Sequence, residues 1–245
     1  MAVVPFRVSG AAADQTLEQR LFQIGPHTIF IKQNPKGSGA HHNQARCTSD
    51  DLASVELEGR VGAPLGNVGL VVWQSAFVLA DYLVARPPYG TWQGVSVIDL
   101  GTGTGVVGIG LAMAGARVTL TDLPHIMPLT AQNLALNADK QSLDAQVMPY
   151  AWGEDAGRLP QAPDVITGAD VVYEQEHFPA LISSLRMLAA PHTVIFLSYR
   201  LRGRGEEVFE GMLEAKGLFA VHVPNSMLHE EYREEAYKVL RICRL

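Results

Sequence analysis

Cysteine is scarce in this chain: two residues in 245, Cys47 and Cys243, far apart and in no Cys-x-x-Cys pair. That argues against a disulfide framework or a cysteine-built zinc site, and it suits a reducing, cytoplasmic compartment. Long apolar runs are lacking too. None approaches the roughly 18 residues that cross a bilayer, and no basic segment precedes an apolar stretch near the start. Neither a membrane partner nor a secretory signal is therefore expected. Positive charge is in deficit, with 19 Lys and Arg against 25 Asp and Glu for a formal net charge of −6. This argues against general affinity for nucleic acid and is compatible with a basic peptide or protein as partner. With 47% hydrophobic and only 18% charged residues, the chain can bury the core of one domain of above-average size plus a small appendage. Internal repeats and low-complexity segments are absent. His41 and His42 are adjacent in a polar stretch without further ligand spacing, so they read as a solvated loop and no metal is expected.

What is present is a glycine turn between an apolar strand and an apolar helix. Val95, Val97, Ile98 and Leu100 read as a buried strand, and Gly101, Gly103 and Gly105 follow at once. Glycines there permit positive φ and an approach to a ligand that a Cβ would block. Val106 to Ala114 then reads as a short helix closed by Gly115, its N-terminal N–H groups aimed back over the turn. Gly103, Gly105 and Gly108 also fit the dinucleotide pattern G-x-G-x-x-G, so spacing alone leaves the ligand open. Two carboxylates narrow it. Asp122 closes the next strand, Ala116 to Thr121, 21 residues beyond Gly101, where it can accept from both hydroxyls of a ribose. Asp99 stands just before the glycines, where a dinucleotide site has apolar or small residues. It favours S-adenosylmethionine, with holding the loop as its alternative role.

Onward from the turn, strands and helices alternate. Helices are expected at Pro128 to Asn137, Phe178 to Ala190 and Glu206 to Lys216, and strands at Asp144 to Met148, Pro163 to Gly168, His192 to Tyr199, Phe219 to Val223 and Tyr237 to Cys243. The alternation predicts a mostly parallel sheet covered on both faces. The last two strands, with no clear helix between them, predict an antiparallel pair at the edge. Gln23 to Gln33, punctuated by Gly25-Pro26, reads as a short strand or hairpin, and Asn34 to Ala53 as an exposed polar loop.

Five separated motifs, taken in order, resemble one family. They are Val72-Trp73-Gln74-Ser75-Ala76-Phe77-Val78-Leu79-Ala80, Asp99-Leu-Gly-Thr-Gly-Thr-Gly-Val-Val-Gly-Ile109, Thr121-Asp-Leu-Pro124, Ala151-Trp152-Gly153 and Gly168-Ala-Asp-Val-Val-Tyr173. Together they look like the family 16 seven-β-strand methyltransferases, the lysine methyltransferase-like group, over about residues 55 to 245. The resemblance implies an α/β fold: a Rossmann-like, seven-stranded class I methyltransferase sheet, mostly parallel with an antiparallel C-terminal strand. Residues 1–54 would form an N-terminal extension with a β segment and a polar loop, and 55–245 the methyltransferase domain. It implies S-adenosylmethionine as cofactor and a lysine side chain of a protein as acceptor, with the chain acting as a monomer.

Residue by residue, the resemblance implies that Trp73 lines the cofactor pocket near the methionine end, unless it is a core aromatic on a Leu70 to Leu83 helix. Gly101, Thr102 and Gly103 would pack on the methionine part, Asp122 would hold the ribose, Trp152 would stack beside the adenine, and Ala169 would meet the cofactor through its backbone. Asp170 and Tyr173 form the family's catalytic Asp/Glu-x-x-Tyr/Phe pattern at the carboxyl end of the sheet. There Asp170 is expected to orient an incoming ammonium and Tyr173 to wall the channel and accept or donate one hydrogen bond, with a loop-structuring Asp and a packed Tyr as the alternative. Tyr199, Arg200 and Arg202 are candidates to touch substrate, although Arg200, Arg202 and Arg204 also read as a solvated basic turn. Pro224 to Tyr232 is either a cover over the acceptor site or a surface excursion. Other acceptors compete with lysine, as do a nicotinamide oxidoreductase, disfavoured by Asp99 and the two tryptophans, and a silent binding protein, disfavoured by Asp170 and Tyr173.

Overall fold

The structure, a computed structural model, describes residues 4–5, 15–38, 65–138, 142–203, 205–233 and 236–244. Cys47, His41, His42 and Arg204, and the part of the expected polar loop from 39 to 53, lie outside these residues. Two sheets form. The larger has seven strands: β4 (Ser96–Leu100), β5 (Arg117–Asp122), β6 (Ala145–Pro149), β7 (Val165–Ala169), β8 (Val194–Arg200), β9 (Leu218–His222) and β10 (Tyr237–Arg244). Their order is β6-β5-β4-β7-β8-β10-β9. Every neighbour pair is parallel except those made by β10, which runs antiparallel to both β8 and β9.

The expected antiparallel pair forms, but the last strand takes the inner position. Composition explains the exchange. Val239, Leu240 and Ile242 of β10 are fully buried, whereas Phe219 and Val221 of β9 stay about half exposed. The more apolar strand gains more from two neighbours and two covered faces.

Helices α1 (Gln74–Ala85), α2 (Val106–Met113) and α3 (Met127–Ala138) precede the chain reversal at β7, and α4 (Phe178–Leu188) and α5 (Glu206–Glu214) follow it. Side chains in a strand alternate between faces, and β8 shows the consequence. Val194 and Phe196 join the apolar cluster with α1 and α2, while Ile195, Leu197 and Tyr199 join the cluster with α4 and α5. Trp73 lies outside the helix the sequence suggested for it. It is the N-cap of α1 in extended conformation (φ −93°, ψ 146°), following a 3-10 turn at Leu65–Leu70. None of the described helices is long and apolar enough to cross a membrane.

The N-terminal strands β1 (Val4–Pro5), β2 (Gln19–Ile24) and β3 (His27–Lys32) form the second sheet, with β2 and β3 a hairpin turning at Gly25-Pro26. Phe22, Ile24, Ile29 and Ile31 are buried in the same apolar cluster as α1 and α2. The free edge of β3 is satisfied by side chains of α3. Asn137 exchanges hydrogen bonds with the N–H and C=O of Phe30 (2.9 and 2.8 Å), and Asn133 does the same with Lys32 (2.7 and 2.9 Å). Asn133 also donates to the Thr104 carbonyl at 2.8 Å, and Thr130 one turn earlier donates to that of Gly103 at 2.6 Å. One helix face thus ties the hairpin to the glycine turn. Replacing Asn133 by Ala strands three backbone groups, the buried Thr104 carbonyl and the partly buried N–H and C=O of Lys32. We expect a loss of about 2–3 kcal/mol, read as a lower urea midpoint with unchanged slope; an unmoved midpoint would show the clamp to be dispensable.

Candidate active site

The carboxyl ends of β4, β5 and β7 open into one cavity of about 330 Å³. It lies where the chain turns from building one half of the sheet to the other, since β4 is flanked by β5 and by β7. Ligand crevices of open α/β sheets form at such a point. Trp73, Gly101, Thr102, Gly103, Asp122 and Trp152 all line it. So do Asp99, Ala169, Asp170 and Tyr173. Residues from five distant stretches of sequence therefore share one wall.

Two glycines make the floor. Gly101 has φ +64°, and a Cβ there would stand 2.9 Å from the Trp152 indole and 3.0 Å from Val171. At Gly103, with φ +55°, a Cβ would meet the Gly69 carbonyl at 3.0 Å, so two backbone segments touch across the turn. Substitution at either is strained twice, by dihedral and by contact.

Asp99 is the anchor beneath. It is 1% exposed, and its carboxylate accepts from Thr102 Oγ1 (2.5 Å), Thr167 Oγ1 (2.6 Å) and the Gly108 N–H (3.2 Å). The turn, the neighbouring strand β7 and the first turn of α2 are joined through one side chain. Burial pushes its carboxyl up to about 6, against the lowering effect of those three hydrogen bonds. Asp122, at the end of β5, accepts from the N–H groups of Gly103 (2.8 Å) and Leu123 (2.7 Å). Burial raises its carboxyl as well, with the two backbone donors opposing.

Trp73 is half-buried and donates its indole N–H to the Val68 carbonyl at 2.9 Å, which presents the ring to the cavity. The hairpin fixes the segment before it. Gln15 and Arg20 donate to the Val72 carbonyl, and Gln33 accepts from the Val72 N–H.

Asp170 departs from expectation in a way that matters. Both carboxylate oxygens are taken by Arg202, whose Nη1 and Nη2 each donate at 2.8 Å. The carboxylate therefore does not stand free for an incoming ammonium. Asp170 also sits in the left-handed region at φ +56°, its N–H donating to the Ser198 carbonyl at 2.7 Å. Aspartate tolerates that conformation better than most residues, at a cost of roughly 1–2 kcal/mol. Tyr173 packs edge-on against His177, with ring centroids 6.3 Å apart. Burial first, then the charges of Asp122, Glu174, Asp170 and Glu176, push its phenol up to about 12. It is a hydrogen-bond donor at neutral pH.

The remaining substrate-side candidates separate. Tyr199 faces the opposite side of the sheet and donates to Glu210 at 3.0 Å. Arg200 is exposed, with its guanidinium 5.9 Å from the Tyr237 ring. The solvated-turn alternative fails for Arg202, which is paired and largely buried. Pro224 to Tyr232 runs along the surface, with Pro224, Ser226, Met227, Glu230 and Glu231 exposed, and is pinned by two buried residues. Leu228 and Tyr232 are buried against Phe77 of α1, and nothing from the segment lines the cavity. Sequence reasoning missed Thr130, Asn133, Thr167 and His177, and the partnership of Arg202. Arg202 carried a signal in its charge, but nothing local pointed to a partner 32 residues away.

The sequence model of a family described as lysine methyltransferase matches residues 58–216. The chain belongs to that family. It is similar to the EEF1A lysine methyltransferase 3 of Xenopus tropicalis, 40% identical over 181 residues that cover 72% of this chain and 79% of the relative. It is also similar to the protein N-lysine methyltransferase METTL21A of the same organism, 38% identical over 217 residues, covering 87% and 86%. Among solved structures, it shares its fold with the magnesium protoporphyrin IX methyltransferase of Synechocystis PCC 6803, at TM-score 0.52 and 24% identity, covering 70% of this chain and 79% of that one. As a member of the lysine methyltransferase family, the protein is a methyltransferase.

Gly101→Ala is the sharpest probe of the cavity floor. The new methyl must displace Trp152, so we expect a loss of about 1–3 kcal/mol together with a shifted tryptophan emission. A stable variant with unchanged emission would contradict the contact.

Proposed function

We propose that the protein transfers a methyl group from S-adenosylmethionine to the ε-amine of a lysine in a protein substrate. One observation carries the reading: the cavity brings together the ten residues that the family pattern assigns to donor and acceptor.

The residues fit the cofactor. Gly101 and Gly103 let the turn pack closely where a Cβ would press on Trp152, Val171 and the Gly69 carbonyl, and with Thr102 this floor receives the methionine part. Asp122, which lines the cavity, holds the ribose through charge-assisted hydrogen bonds. Trp152 provides a flat apolar face for the adenine, Trp73 closes the methionine end and Ala169 offers its backbone. Asp99 acts through the loop it anchors. When bound, the sulfonium supplies an already activated methyl group, so that transfer forms the N–C bond with the amine lone pair while the C–S bond breaks toward sulfur.

The chain's own task is positioning and exclusion of water, which can supply about 7–11 kcal/mol of the barrier. Asp170 and Tyr173 border the place where donor and acceptor meet. Tyr173, protonated at neutral pH, walls the channel and donates one hydrogen bond. The protein relatives, rather than small-molecule ones, support a protein acceptor, and the net charge of −6 favours a basic surface on it. We infer a monomer acting in the cytoplasm, without membrane or nucleic-acid partner.

Incubation with radiolabelled S-adenosylmethionine and a cell extract, followed by residue-level mapping, tests the reading. Label on lysine of a discrete protein, lost with Asp170→Ala, is expected. Label confined to other residues or to small molecules would overturn the acceptor. A pH dependence also follows. Asp99 titrates near 6 when folded and 3.8 when exposed, so its contribution to stability is greatest below pH 4 and is lost as pH rises through 6. Cofactor binding works the other way, because the anchored loop needs the ionised form to accept from all three donors, and Asp122 needs its charge for the ribose. Affinity for S-adenosylhomocysteine should drop about tenfold between pH 7.5 and 5 in calorimetric titration. A flat profile would remove both carboxylates from the binding energetics.

A further inference from the structure

Arg202 is a strongly charged, largely buried group beside the site with no task in methyl transfer so far. Its geometry is over-determined. The guanidinium makes the bidentate pair with Asp170, stands 5.8 Å from the Trp73 ring and reaches the Arg200 carbonyl, while its own N–H donates to buried Glu206 at 2.8 Å. The pair is largely shielded from water, with side-chain exposures of 23% for Arg202 and 6% for Asp170. Asp170 lines the cavity and Arg202 does not. The arginine therefore stands behind the carboxylate rather than in the channel.

A methyl acceptor needs a lone pair, so lysine must give its proton to solvent before the N–C bond forms. A lone buried carboxylate beside the amine would hold that proton in place. A carboxylate whose two oxygens are already matched by a guanidinium is close to neutral as a unit.

Resting on the methyltransferase reading, we propose that Arg202 is a positioning residue that neutralises Asp170, so that the acceptor site takes its amine uncharged. The other titratable groups facing the pair are Glu206 and Tyr237 on the Arg202 side. Around the cavity mouth are Glu174 and Glu176, with Asp122 and His177 on its wall. None of these replaces Arg202, because none donates to the Asp170 carboxylate. The negative mouth attracts a lysine cation, and the neutral pair inside favours its discharge.

The test uses the full chain saturated with S-adenosylhomocysteine and n-butylamine as the lysine head-group probe, with binding followed by tryptophan emission from pH 7 to 9. The wild type should bind about tenfold more tightly per pH unit, tracking the neutral fraction of an amine that titrates near that of lysine. Arg202→Gln exposes the Asp170 charge; it should bind about tenfold more tightly at pH 7 and lose the slope. Arg202→Lys, which keeps the positive charge, should keep the slope. The double variant Asp170→Asn with Arg202→Gln removes both charges and should regain the slope, and it remains informative if the single glutamine variant does not fold. Equal slopes in wild type and Arg202→Gln, or a flat wild type, would overturn the proposal. Absence of any S-adenosylhomocysteine-induced melting shift in the wild type would instead overturn the cofactor site, and the proposal with it.

Discussion

A carboxylate with no access to water holds this site together. Asp99 is surrounded by Thr102, Thr167 and the N–H of Gly108, which belong respectively to the glycine turn, strand β7 and helix α2. A buried charge is tolerated only when its hydrogen-bonding capacity is met, so these three elements are obliged to keep their mutual geometry. The turn then receives further support from Asp122, which accepts from Gly103, and from Thr130 and Asn133, which donate to the carbonyls of Gly103 and Thr104. A segment rich in glycine would otherwise sample many conformations. Here it is fixed from below, from one side and through α3 to the N-terminal hairpin. Arg20 of the hairpin and the flanking Gln15 and Gln33 also grip the Val72 backbone beside Trp73, so the hairpin is tied mechanically to the cavity wall.

The Asp170 end of the cavity follows a different rule. Charge there is arranged in pairs and rings. Asp170 is matched by Arg202 at 2.8 Å on both oxygens, and the phenol of Tyr173 is held in its neutral form by burial and four nearby carboxylates. The strained left-handed backbone of Asp170 directs its side chain toward Arg202, and β8 contributes the Ser198 carbonyl that holds its N–H. Methyl transfer from an activated donor asks for alignment and desolvation, and the matched Asp170–Arg202 pair keeps that part of the wall from adding a bare charge.

Much of this was legible in the sequence because it is written locally. The strand, glycine turn and helix from Val95 to Gly115 follow from apolar runs and positive-φ requirements within a single stretch, and the alternation of strands and helices fixes a parallel sheet. The order of motifs named the pocket residues, and all ten line the cavity. What escaped was set by tertiary placement. Arg202 looks like part of an exposed basic turn until β7 and β8 bring Asp170 beside it. Tyr199 sits one position from the useful face of β8, and strand alternation sends it to Glu210 instead. The asparagines of α3 fall within a helix the sequence outlines, but nothing near them announces that the edge of β3, about 100 residues earlier, needs their amides. The exchange of β9 and β10 depended on which strand could fill two covered faces.

The claim on which the rest depends is that the cavity over the glycine turn receives S-adenosylmethionine with its ribose on Asp122. Calorimetric titration of the wild type and of Asp122→Ala with S-adenosylhomocysteine, beside NAD, tests it most directly. The account predicts one site per chain in the wild type, affinity at least tenfold weaker in Asp122→Ala with the fold retained, and no binding of NAD. Undiminished affinity in Asp122→Ala, or NAD binding as tightly as S-adenosylhomocysteine, would contradict it.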